Sequence, residues 1–221
     1  MNKFVGKCAV IAALSGLAGF ATQASADVVG NAKAAQGKVA MCIGCHGIPG
    51  YRTAYPEVYR VPMLGGQSAR YIENALHAYK KGDRHFETMH GIATTLTDQD
   101  IADIAAYYAQ LGKPPGPVPT APATAAPADL RAKLASCVPC HGANFSTPAD
   151  GTIPRIAGQY ADYMLYALKA YQTDGNPQFG RKNAAMAAFA KPLTPDDIDR
   201  ISGYLASLPG ALRTVPQAKF K

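Results

Sequence analysis

Three blocks of this sequence occur twice, in the same order and at nearly the same spacing. Cys42-Ile43-Gly44-Cys45-His46-Gly47 returns as Cys137-Val138-Pro139-Cys140-His141-Gly142, 95 residues on. Val61-Pro62-Met63-Leu64-Gly65-Gly66-Gln67 returns as Ile153-Pro154-Arg155-Ile156-Ala157-Gly158-Gln159, 92 residues on. Leu96-Thr97-Asp98-Gln99-Asp100-Ile101 returns as Leu193-Thr194-Pro195-Asp196-Asp197-Ile198, 97 residues on. The small drift places insertions in the loops between blocks. One structural unit is therefore built twice.

Between the copies, Gly112 to Ala128 holds six prolines among Ala, Gly and Thr. Such a run cannot form a helix or a central strand and favours extended polyproline geometry. It predicts a semi-rigid spacer at residues 113–128, with one domain at 27–112 and another at 129–221. The segment before them, 1–26, has a basic start, an apolar run from Ala9 to Phe20 and Ala24-Ser25-Ala26 at its end, which is the layout of a secretory signal cleaved after Ala26. Twelve apolar residues are too few to span a bilayer, so an uncleaved anchor is the weaker reading, and no transmembrane segment is expected after cleavage. A lipid anchor on Cys8 is weaker still, because Lys7 stands where a small residue is expected. The mature chain is expected to be periplasmic.

Within each half the pattern is helical. Ser68 is a candidate N-cap for a helix presenting Tyr71, Ile72, Ala75, Leu76 and Tyr79, with Gly82 as its stop. Tyr163, Met164, Ala167, Leu168 and Tyr171 repeat that face. The last helices start at Thr97 and Thr194, the second with Pro195 in the favoured first position. No strand alternation is visible, so the fold class is all-α: two small tandem helical domains. Domains this small bury a limited core, and a cofactor in the middle would serve as part of it.

Removing the leader leaves four cysteines, all in the two C-x-x-C-H motifs. Two thiols one turn apart can reach two vinyl groups of a haem, and the following His is then placed under the iron. A thioredoxin-like C-x-x-C needs a βαβ context that is missing. A zinc site usually places its second pair 15 to 20 residues away, and a disulfide leaves His46 and His141 without a role. The expected cofactors are two covalently attached haem c groups, on Cys42 and Cys45 and on Cys137 and Cys140. For the second axial position, Met89 and Met186 each lie seven residues before the repeated Leu-Thr start, whereas Met63 aligns with Arg155, Met164 sits on a core stripe and Met41 abuts the first motif. His90 is a rival in the first half only. His77 and His85 are expected to face solvent. Pro62 and Pro154 are either carbonyl acceptors for the axial His or plain turn prolines.

Charge is uneven. Residues 27–112 carry eight basic and eight acidic side chains, residues 113–221 twelve and seven, giving the second half +5. This is either a solvated surface or an orienting field for an acidic redox partner; Arg181 and Lys182, just before Met186, are candidates to flank the haem edge. No basic run or aromatic-basic interleaving points to nucleic acid.

The two halves resemble class I cytochromes c, and their tandem arrangement resembles the di-haem cytochrome c4 group. The residues that carry the resemblance are the C-x-x-C-H-G blocks, the Pro-x-(Leu/Ile)-x-Gly-Gln blocks at 62–67 and 154–159, Met89 and Met186, and the Leu-Thr-x-x-Asp-Ile helix starts. The resemblance implies His/Met ligation by His46 with Met89 and by His141 with Met186. It implies an electron carrier rather than an enzyme, delivering to a membrane-bound terminal oxidase or another respiratory partner. A subunit through which electrons enter a larger dehydrogenase or reductase is the alternative; a di-haem peroxidase fits less well, since it would need an open iron position. The Tyr51, Tyr55 and Tyr59 loop has no counterpart in the second half; it either covers the first haem edge or is a surface loop.

Overall fold

The computed structural model describes residues 28–112, 116–122, 124–173, 176 and 178–217, so the leader and Asp27 lie outside the described residues. The first unit begins with a 3-10 turn at Ala34–Gly37 and α1 (Ala40–His46). It continues through β1 (Arg52–Thr53), β2 (Tyr59–Arg60), α2 (Ala69–Lys81), β3 (Arg84–His85), α3 (Glu87–Thr94) and α4 (Asp98–Gln110). The second comprises α5 (Arg131–Ala135), α6 (Val138–His141), α7 (Ala161–Gln172), β4 (Gly180–Arg181), α8 (Ala184–Ala190) and α9 (Pro195–Ser207). The strands are two residues each, too short to leave an alternating pattern in sequence. β1 pairs with β2 inside the first unit, and β3 pairs antiparallel with β4 across the two units, Arg84 opposite Arg181.

Local chemistry sets the helix ends. Thr97 and Thr194 each accept from the backbone N–H three residues on, while Asp100 and Asp197 reach back to the cap N–H, closing a reciprocal box at both helix starts. Gly82 ends α2 at φ +75°, a conformation that a side chain would oppose. Ser68 occupies the cap position of α2, but its hydroxyl donates instead to the Gly151 carbonyl of the second unit at 2.5 Å.

Each unit has its own core. Ile72 and Leu76 of α2 pack with Ile101, Ile104 and Tyr108 of α4, and Met164 of α7 packs with Ile201 and Leu205 of α9. A fully buried large aliphatic contributes about 1.5–3 kcal/mol, so these faces outweigh the weak intrinsic stability of helices of 12 or 13 residues. A lysine four residues before each first cysteine ties the haem-motif segment to the last helix: Lys38 to Asp100 at 2.6 Å and Asp103 at 2.9 Å, and Lys133 to Asp197.

The units are docked rather than held apart. Arg60 Nε donates to the Asp162 carboxylate at 3.0 Å, Gly65 exchanges two backbone bonds with Arg213, and Tyr59 stacks on Tyr166 at 4.2 Å between centroids. The proline-rich segment, expected as a spacer, lies along the second unit where it is described. Asn144 Nδ2 donates to the Pro119 carbonyl at 2.6 Å and the Tyr204 hydroxyl to the Thr124 carbonyl at 3.0 Å. Prolines have no N–H to offer, so the segment is held through its carbonyls.

Candidate functional site

In the first unit, α1 carries Cys42, Cys45 and His46 along one wall of a cavity of about 290 Å³, and Met89, the third residue of α3, lines the same cavity. Leu76, Ile104 and Tyr108 supply apolar wall. His46 Nδ1 lies 2.9 Å from the Pro62 carbonyl. A carbonyl only accepts, so Nδ1 carries the proton and the Nε2 lone pair is left for a metal. Burial pushes the His46 pKa down to about 4, against the opposing pull of the Pro62 bond and with help from Arg84, which keeps the ring neutral at pH 7. Burial pushes the Cys42 thiol up to about 11.

The second unit reproduces the histidine contact and the helix position of the methionine. His141, 5% exposed, places Nδ1 3.0 Å from the Pro154 carbonyl, and burial lowers its pKa with the same partial compensation. Met186 is the third residue of α8, the position Met89 holds in α3, and its N–H bonds to the Asn183 cap at 2.9 Å. Of the other methionines, Met41 touches the same cavity but is 57% exposed and directly precedes Cys42 on α1, Met164 is core, and Met63 sits at the interface with its N–H on Gln159. His90, the rival ligand, is exposed and donates Nδ1–H to the Tyr79 carbonyl at 2.7 Å. His77 and His85 are half-buried rather than fully solvent-facing.

Between the units lies a group that sequence reasoning missed. Arg84 and Arg181, 8% and 7% exposed, share the Tyr163 hydroxyl at 2.7 and 3.2 Å. Arg84 also stands over the Tyr79 ring and Arg181 over Tyr171. Burial raises the Tyr163 phenol, but Arg181 and Arg84 outweigh it and hold its pKa at about 8. Arg84 Nε is buried without a partner, in the wall of the His46 cavity. Arg181, expected with Lys182 at the haem edge to meet a partner, is not a partner-facing charge: it is buried against the other unit, where β3 pairs with β4, while Lys182 is exposed and pairs with Asp83 of the first unit. The signal was present, because Arg84 and Arg181 each precede their methionine by five residues. Of the tyrosine loop, Tyr59 is buried in the interface and Tyr51 and Tyr55 remain exposed, Tyr51 lining the cavity's outer wall.

The residues fit haem c. Two thiols, a neutral imidazole and a thioether meet at one apolar cavity, and the Arg84 Nε, buried in its wall with no partner among the described residues, suits a haem carboxylate arm.

Comparison with known proteins agrees. The Cytochrome c family profile matches residues 32–112 and 131–209. Cytochrome c4 of Pseudomonas aeruginosa is 32% identical over 94% of this chain and 100% of its own. The crystal structure of reduced recombinant cytochrome c4 from Pseudomonas stutzeri superposes with TM-score 0.58 at 28% identity, over 82% of this chain and 100% of that one. The thiosulfate dehydrogenase electron acceptor of Thiomonas intermedia is 29% identical over 80% of this chain and 82% of its own. With its two tandem cytochrome c domains and two covalently bound haem c groups, the chain belongs to the cytochrome c family, in its di-haem cytochrome c4 group.

Proposed function

We propose that this electron carrier is an exported, periplasmic shuttle that delivers to a membrane-bound terminal oxidase or a comparable respiratory acceptor, and that it has no catalysis of its own. The observation that carries this is the matched pair of methionines, each third in its helix and each paired in the repeat with a carbonyl-anchored histidine. Cys42, Cys45, Cys137 and Cys140 hold the two groups; His46 with Met89 and His141 with Met186 fill the axial positions. A bound haem iron takes up and releases one electron. The chain's part is to keep both imidazoles neutral and oriented, to present a soft sulfur that favours the reduced state, and to surround the site with apolar wall. Export follows from the leader, with the mature chain beginning at Asp27 and domains at 27–112 and 129–221 joined by 113–128.

The test is to mix the reduced protein with peroxide, with carbon monoxide and with oxidase-containing membranes. Rapid oxidation by membranes alone supports the shuttle. Turnover of peroxide would make it an enzyme. A second reading has support from the Thiomonas relative: an electron-accepting partner of a dehydrogenase. Co-purification with a large dehydrogenase after mild extraction would favour that reading.

A further inference from the structure

A second repeated feature crosses between the units. Gln67, 3% exposed, accepts the Arg155 N–H on Oε1 and donates Nε2–H to the Arg155 carbonyl, each at 3.0 Å. Gln159, 5% exposed, does the same to Met63, each at 3.1 Å. Each Oε1 also accepts the next N–H of its own chain, Ser68 or Tyr160, at 3.0 Å, which fixes the amide's orientation. The Met63 N–H and the Pro62 carbonyl belong to one peptide group, and so do the Arg155 N–H and the Pro154 carbonyl. Those carbonyls are the ones that accept from His46 and His141. A continuous hydrogen-bond chain therefore runs from each axial histidine, through one peptide, to a glutamine of the other domain.

We propose that Gln159 is a positioning residue for the first haem and Gln67 for the second, so that each domain tunes the potential of the haem it does not hold. The proposal rests on His46 and His141 being the axial ligands. An N–H that donates polarises its own peptide and makes the carbonyl of that peptide a better acceptor, by roughly 10–30% per bond in a chain. A better acceptor draws the Nδ1 proton, makes the imidazole a stronger donor to iron and favours the oxidised state. Both glutamines are buried, so water does not supply a substitute acceptor when one is removed. The arrangement also links docking to redox state: when the domains part, both histidines lose their support together.

The experiment is to measure the equilibrium potentials of both haems in the intact protein, assigned individually by their shifted methyl resonances. Gln159→Leu is expected to shift the reduced-to-oxidised ratio of the first haem upward about threefold at fixed applied potential, or ~30 mV at 59 mV per tenfold, with the second unmoved. Gln67→Leu is expected to do the reverse. Gln159→Glu keeps an accepting oxygen and is expected to leave the first haem at or below its original potential. Arg60→Ala, which removes one contact between the domains while the others keep them docked and both glutamines in place, is expected to move neither. A shift in the glutamine's own domain, no shift, or the same shift from Arg60→Ala would overturn the proposal. If the wild-type spectra lack His/Met ligation, the assignment of ligands fails instead, which is a separate outcome.

Discussion

The two haem-motif segments share five of six residue positions in type or size, yet they fold differently. In the first domain α1 runs for seven residues through Cys42 and Cys45, and Gly47 follows at φ −96°. In the second, Pro139 removes an N–H from the middle of the motif, α6 is four residues long, and Gly142 turns at φ +81°. A Cβ on Gly142 would lie 2.0 Å from the Thr147 carbonyl, so only glycine passes there. The carboxylate clamps differ as well. Asp103, 2% exposed, accepts from Lys38, Gln99 and the Asn31 N–H, whereas the second domain has Arg200 at that repeat position, paired outward to Asp129. What the two domains keep in common is the carbonyl-anchored histidine and the helix position of the methionine. Support varies around a site whose chemistry does not.

The largest expected effect tests whether the sites are separable. Replacing Cys42 and Cys45 by Ala should leave one covalent haem per chain, on the second domain; the Cys137 and Cys140 pair should give the mirror result. Haem counted after acid-organic extraction is the check, and a double loss from either pair would mean that neither domain matures alone. Next in size, Met89→Ala and Met186→Ala should each remove one sulfur-to-iron band and lower one potential by on the order of 100 mV, a part of the ~0.8 V range that axial ligation spans. Met63→Ala should leave both bands in place, since that residue meets the interface through its backbone.

How far these expectations reached by sequence alone depends on the kind of contact. Elements specified locally were legible: the capping residues Thr97 and Thr194, the Gly82 stop and the Ile72/Leu76 face all occupy the places their chemistry demands. The choice of Met89 and Met186 over Met63 and Met164 rests on register of the same kind, and the structure gives both the third place in their helices. Contacts between residues about 80 to 100 positions apart were not legible. Gln67 and Gln159 were visible only as the last letters of a repeated block, and Arg84 and Arg181 only as surface charge. Their roles arise from the docking of two units, a property no window of sequence contains. The same limit applies to 113–128: six prolines specify an extended chain, not the surface its described residues lie on.

A smaller effect should separate the two clamps. Asp103→Ala leaves Lys38 and two backbone or amide donors short of an acceptor and should cost the first domain about 2 kcal/mol, seen by denaturant unfolding followed at each haem. Reversing Arg200, an exposed pairing, should cost the second domain less than that. The pH dependence runs in one direction for both. Lys38, with Thr97, holds the Asp100 carboxyl down, and Lys133 with Thr194 holds Asp197 at about 2. Their folded pKa values are depressed, so the stability they lend is present above pH ~4 and lost as pH falls toward 2. Acid titration of unfolding at each haem reads it; stability rising on acidification would contradict it.

Both irons should be low-spin, with histidine and methionine in place and no position open to substrate. Electron spin resonance of the oxidised, purified protein, together with its absorption spectrum, reads this at each haem. Two low-spin ferric signals and two sulfur-to-iron bands are predicted, unchanged on adding peroxide. A high-spin ferric signal at either haem, or a band count of one, would contradict the account.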